Sequence, residues 1–293
     1  MTGAMLHDVL IGPFAEFAFM RRALVGAIAL ALSGAPIGVF LMLRRMSLTG
    51  DAMAHAILPG AAVGYLFAGL SLTAMTLGGL AAGFTVAILA GAASRATVLR
   101  EDATMAAFYL LSLALGVTLV SLKGSSIDLL HVLFGSVLAL DDSALLLLAG
   151  IASVTLVALA LLYRPLVLEC VDPGFLRTVS RSGPVAHLAF LGLVVLNLVA
   201  GFHALGTLLA VGVMMLPAAT ARLWSADVTI MMAVAILAGV ASSVGGLLVS
   251  YHFSLPAGPA IILWAGALYL VSLAFGAAGG ILAIHFPRRH LEA

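Results

Sequence analysis

The sequence predicts an all-α polytopic membrane protein with about eight to nine transmembrane helices. Three observations predict it. Of the 293 residues, 63% are apolar and only 9% are charged, against about 25% charged in an average soluble domain. The mean hydropathy is +1.24. The apolar residues also come in runs of about 20, the length that spans about 30 Å of hydrocarbon. A soluble fold cannot hide that much apolar surface. A soluble enzyme, a nucleic-acid-binding domain and a disordered chain are therefore excluded. Runs of this length also exclude a membrane β-barrel, whose strands alternate over about ten residues.

Taken in order, the apolar runs fall at about 20–43, 52–69, 72–94, 103–122, 143–163, 185–202, 205–223, 228–250 and 257–285. Residues 124–141 hold a shorter apolar run between polar ends, which reads as an interfacial or re-entrant helix. No small-residue cleavage site follows Arg21 and Arg22, so the start does not read as a cleavable signal peptide. The pairs Gly60/Gly64, Gly79/Gly83 and Gly276/Gly280 have the spacing that lets helices approach closely in lipid. The longest polar insertion, 164–184, is bounded by Pro165 and Pro184. Asp172 as N-cap and Pro173 in the first turn fit a short helix there. A plain solvated loop and a docking helix for a soluble partner both fit this insertion.

Cationic loops mark the cytoplasmic side. Arg44/Arg45, Arg95/Arg100, Arg177/Arg181, Arg222 and the Arg288/Arg289 tail can lie inside together. The C-terminus is then cytoplasmic, and Lys123, His131 and His252 fall on outer loops. Arg21 and Arg22 are left outside, against the rule, unless a segment such as 5–19 dips into the membrane.

The chain has no G-x-x-x-x-G-K-[ST] loop, no H-E-x-x-H and no G-x-S-x-G. It has one cysteine, Cys170, hence no disulfide framework and no thiolate metal cluster. The sharpest local feature is RRMSLTGDAMAHAILPG at 44–60. Asp51 and His55 are four residues apart, on one face of a helix. A carboxylate and an imidazole so placed can share a divalent metal. Spacing alone fits somewhat better Asp51 as a helix cap near the interface and His55 as a hydrogen-bonded packing residue. Pro59, one turn on, is placed to kink the helix and free a carbonyl. His203 sits at the outer end of the run at 205–223, Pro217 lies deep within that run and should bend its helix, and Met214 and Met215 read as packing residues.

With these motifs, the chain resembles the permease subunit of the zinc/manganese family of bacterial ATP-binding-cassette (ABC) importers. The resemblance covers about residues 20–285. It rests on the 44–60 motif, on REDATM (100–105), DLLHVLFGSVLAL (128–140), LLAVGVMMLPAATARL (208–223) and GGLLVSYHFSLPAGPAI (245–261). It implies a single transmembrane permease domain over 1–293, in the multi-pass inner membrane of a bacterium. The implied partners are a second copy of the chain, two cytoplasmic ABC ATPase subunits and a periplasmic metal-binding protein, with lipid around them and no nucleic acid. The chain itself would be non-catalytic, with ATP hydrolysis in the partner and no permanent cofactor. The resemblance places Asp51 and His55 on the translocation path. It makes about 170–183 the ATPase-coupling helix, with Asp172, Pro173, Phe175, Leu176 and Gly183 as its contact residues. His203 is a further candidate ligand near the outer mouth.

The mechanism implied is alternating access, with a weak intramembrane site that releases its ion. A protonated His55 would not hold a cation. An Asp–His pair with extra outer histidines points to zinc, because imidazole suits zinc and carboxylate suits manganese. The alternatives are a manganese or iron(II) ABC permease, an importer of a larger chelate, a proton-coupled secondary transporter and a membrane scaffold. A secondary transporter needs its own midplane carboxylates, and Asp51 is the one clear candidate in the sequence.

Overall fold

The computed structural model describes residues 9–69, 71–99, 101–122, 137–171 and 182–285. The helices are α1 (Gly12–Glu16), α2 (Ala18–Leu43), α3 (Ser47–Ala56), α4 (Leu58–Ala68), α5 (Leu72–Ala96) and α6 (Glu101–Leu122). A 3-10 turn at Val137–Ala139 precedes α7 (Asp142–Val171), α8 (Ser182–Leu205), α9 (Thr207–Trp224), α10 (Val228–Phe253), α11 (Ala257–Phe275) and α12 (Ile281–His285). Among the described residues, eight helices are long and apolar enough to cross a membrane. The fold is therefore the all-α polytopic architecture that the composition predicts.

Cross-links between helix ends orient the bundle. The Arg44 guanidinium at the end of α2 reaches Glu169 near the end of α7 and His187 near the start of α8. Trp224 at the end of α9 donates to the Ser272 hydroxyl on α11 at 2.9 Å. These ends share one side, the arginine-rich one. At the other side Arg22 pairs with Asp142 at 3.0 Å, and the His252 ring meets the Val9 carbonyl at 3.0 Å. Gly206 (φ 91°) turns the chain between α8 and α9 at that side. Its left-handed backbone is open to glycine at little cost.

Helix α2 sits at the centre, touching α7, α8, α9 and α10. Its apolar window is 72% buried, against 22% to 28% for the α5, α6, α7 and α11 windows. Those outer helices keep Leu, Val and Phe side chains exposed, as a lipid-facing surface requires. Small residues bring the helices together. A Cβ on Gly38 would overlap the Met214 carbonyl, and Gly60 and Gly78 meet backbone to backbone. Buried hydroxyls return to their own helix: Ser33 bonds the Ala29 carbonyl, Thr220 that of Leu216 and Ser243 that of Gly239.

Several sequence expectations change. The run at 52–69 is not one helix but two, α3 and α4, meeting at Ile57 with Pro59 in the first turn of α4. Proline lacks an N–H and cannot continue the helical ladder. The expected insertion at 164–184 begins later, because α7 runs through Pro165 to Val171. The extension is about two turns, and Leu166, one residue beyond that proline, is fully buried against the bundle. The last run ends at Phe275, where the chain turns before α12 and the Ala278 and Gly279 N–H groups donate to the Leu223 carbonyl. The re-entrant segment, with Lys123 and His131, lies outside the described residues apart from its last turn.

Arg21 and Arg22 do stand at the end opposite Arg44, Arg45 and Arg222, and both find partners there. Arg21 donates to the Phe14 and Ala15 carbonyls at 3.2 and 2.7 Å, closing the end of α1. Arg22 is paired with Asp142.

Candidate functional site

The Asp51–His55 pair is carried by α3, the first half of the broken helix. Gly50 lets α3 lie against the Met214 and Met215 side chains of α9. Ala52, Met53, Ala54 and Ala56 are buried on the inner face. The opposite face carries Leu48, Asp51 and His55, at three- and four-residue steps. The Asp51 side chain is 61% exposed and that of His55 29%. His55 Nε2 stands 3.8 Å from Asp51 Oδ1. Both groups therefore look off the bundle, with their donor atoms converging.

Helix α6 supports this pair from one side. The Tyr109 and His55 rings lie 6.2 Å apart at 30°. Ser112 donates to the Ala56 carbonyl at 2.9 Å, and Gly116 gives room for Pro59. Tyr109, Ser112 and Gly116 share one face of α6 by their spacing. The α3–α4 break loosens the backbone ladder, and Ser112 supplies one of the missing partners. His55 Nδ1 is buried without a hydrogen-bond partner. Tyr109 and Ser112 were not singled out in the sequence. Their i, i+3, i+7 spacing with Gly116 was the available signal.

Along α6, Tyr109 lies eight residues after Glu101. At about 1.5 Å per residue that places the pair roughly 12 Å into the bundle from the arginine-rich end. Among the described residues, no three His, Cys, Asp or Glu side chains form a group that could hold a metal. The described residues therefore bring one carboxylate and one imidazole together here, not a closed cage.

The other predicted site residues lie elsewhere. His203 falls in the last turn of α8, not at the start of the next helix, and its side chain lies outside the described residues. Asp172, Pro173, Phe175 and Leu176 also lie outside the described residues. Gly183 is buried in the first turn of α8. His252 is exposed at the opposite end. Met214 is buried and packs against Gly34 and Gly38.

Among the described residues, eight helices long and apolar enough to cross a membrane define a polytopic membrane protein. The chain belongs to the ABC 3 transport family, whose model matches residues 16–276. It is 32% identical over 257 residues to the manganese import system permease protein ScaB of Streptococcus parasanguinis, covering 88% of this chain and 90% of that one. It is 30% identical to the manganese transport system membrane protein MntC of Halalkalibacterium halodurans, covering 91% and 90%. It is also 30% identical to the probable iron transport system membrane protein of Haemophilus influenzae, covering 92% and 98%. Among solved structures it resembles PsaBC from Streptococcus pneumoniae in complex with Fab. That likeness has a TM-score of 0.82 at 28% identity and covers 97% of this chain and 100% of that chain. An ABC transporter in an inward-facing conformation matches at TM-score 0.68 and 17% identity, a likeness of fold alone.

Proposed function

We propose that the chain is the membrane permease of an ATP-driven importer of divalent metal ions, and that manganese is its cargo. The carrying observation is the Asp51–His55 pair on the open face of a broken intramembrane helix. An ionisable pair at membrane depth is costly unless it serves a path or a partner. The cargo differs from the zinc that outer histidines favoured. Two of the similar proteins are named for manganese and one for iron. One carboxylate and one imidazole accept either metal, so the relatives carry the choice of manganese. Iron(II) is the second reading, carried by the iron-transport relative.

The whole of 1–293 acts as one transmembrane permease domain in the bacterial inner membrane. Its open Asp–His face supports a second copy as partner. Two such faces turned together bring two carboxylates and two imidazoles to one ion. The sequence holds no phosphate-binding loop of the Walker type, so two cytoplasmic ABC ATPases supply the hydrolysis through 170–183. A periplasmic metal-binding protein delivers the ion at the opposite end. Asp51 and His55 hold it briefly, and the permease halves rock to release it inside. Metal is cargo here, and no resident cofactor is needed for this cycle. His203 remains a proposed ligand toward the outer mouth.

The test is uptake of radiolabelled manganese and of radiolabelled zinc, measured separately at equal concentration. The cells carry the chain with its ATPase and binding protein. Manganese should accumulate faster than zinc, and His55→Ala at equal expression should lower uptake about ten-fold or more, the loss of roughly 1.4 kcal/mol or more of ion stabilisation. Faster zinc accumulation would return the cargo to zinc. Uptake that survives His55→Ala removes the pair from the path. Uptake without any ATPase would make the chain a secondary transporter.

A further inference from the structure

At the arginine-rich end, a buried ion cluster stands apart from the Asp51–His55 pair. Arg44 follows α2 and is 6% exposed. Its Nη2 donates to Glu169 Oε2, and its Nη1 donates to His187 Nδ1 at 3.2 Å. Glu169 Oε1 lies 3.7 Å from the same His187 nitrogen. The Arg44 guanidinium carbon sits 4.6 Å above the Phe190 ring. Glu169 is 18% exposed and His187 15%. Such a cluster is costly to desolvate, and well-packed apolar residues often replace one without loss of stability. Its presence calls for a role besides packing.

Its place in the chain gives that role. Glu169 is in the last turn of α7 and His187 in the second turn of α8. The two residues therefore flank 170–183, the segment proposed above to meet the ATPase. Arg44 opens the corner at Arg44–Met46 that leads into α3, with Arg45 in the left-handed region at φ 60°. Asp51 and His55 follow within three turns. One planar guanidinium thus ties both roots of the coupling segment to the root of the ion-holding helix. A guanidinium can hold a carboxylate and an imidazole in a fixed fork, which an ammonium cannot.

We propose that Arg44, with Glu169 and His187, is the positioning clamp that makes α3 move with the ATPase-coupling segment. The inference rests on the permease reading above. It assigns Arg44 no contact with the ion. Without the clamp, the coupling segment moves and α3 does not follow.

The test uses the whole complex of permease, ATPase and binding protein in proteoliposomes. It reads manganese ions transported per ATP hydrolysed. The variants are Arg44→Lys, Glu169→Gln and the double apolar variant Arg44→Met/Glu169→Leu. The double variant leaves no orphaned charge in the Arg44–Glu169 pair, and its recovery as an assembled complex at wild-type yield is measured before transport is read. We expect the double variant to keep metal-free hydrolysis while ions per ATP fall about ten-fold, with Arg44→Lys showing a smaller fall. Hydrolysis that no longer responds to loaded binding protein counts the same way. A wild-type ratio of ions to ATP in the double variant overturns the clamp and leaves a structural ion pair. His55→Ala is run in parallel. If it transports like wild type, the ion-path reading fails, whatever the clamp variants do.

Discussion

Asp141 shows how single residues at the bundle ends set local stability. Its carboxylate accepts from the Ser143 hydroxyl at 2.6 Å and the Ala144 N–H at 2.8 Å, capping α7. The Ser143 hydroxyl, then the Ala144 N–H and more weakly Arg22, hold the carboxyl below the usual carboxylate range. The folded form therefore binds its proton later than the unfolded chain does. The stabilisation is present above the unfolded value, near about 4, and is lost as pH falls through the lower folded value. Asn caps about as well as Asp. Asp141→Asn should therefore leave the melting temperature at pH 7 nearly unchanged and flatten its decline below about pH 4. Thermal melts in detergent across that range check this. An unchanged acid slope would remove Asp141 as a contributor.

At the scale of elements, the break between α3 and α4 is the feature on which the site turns. Pro59 was visible as a kink signal, but a broken pair of short helices was not. Which residue relieves the break depends on α6, and no pattern local to 52–69 reveals that. Ser112 lies 56 residues beyond the carbonyl it serves. Ser112→Ala would orphan a buried acceptor, at about 1–3 kcal/mol, one residue from His55. The expected result is a modest fall in melting temperature with a larger relative fall in manganese uptake. If uptake and melting temperature fall strictly together across Ser112→Ala, Ser112→Cys and Ser112→Gly, Ser112 stabilises the fold without positioning the pair. In α7, Pro165 reads from the sequence as a boundary, yet it sits inside the helix. A proline removes one ladder bond, and the packing of Leu166 outweighs that loss.

For the whole molecule, the helix-end contacts fix two ends, and the charge rule assigns them to sides of the membrane. The arginine-rich end, with Arg44, Arg222 and the start of α8, is cytoplasmic on this reading. Counting the broken pair as a passage puts the N-terminal helix outside, where Arg21 and Arg22 find their partners. On a Cys170→Ser background, Ser254→Cys should react with a membrane-impermeant thiol reagent in intact cells. Ala226→Cys, in the exposed turn between α9 and α10, should react only after permeabilisation. The opposite pattern would invert the topology, and with it the direction assigned to transport.

By itself the sequence determined the all-helical membrane class, the approximate number and position of the spans, the family and the Asp51–His55 pair. Each of these depends on local quantities: run length, hydropathy, a four-residue spacing and the order of residues in a motif. Only the tertiary structure decided which face of α3 is open, what supports the broken helix, and where Arg22 and Arg44 find their partners. The partners of Arg44 lie 125 and 143 residues away. In a low-dielectric interior, a charge must find its partner wherever the packing of helices brings one, and helix packing is not written in any single span.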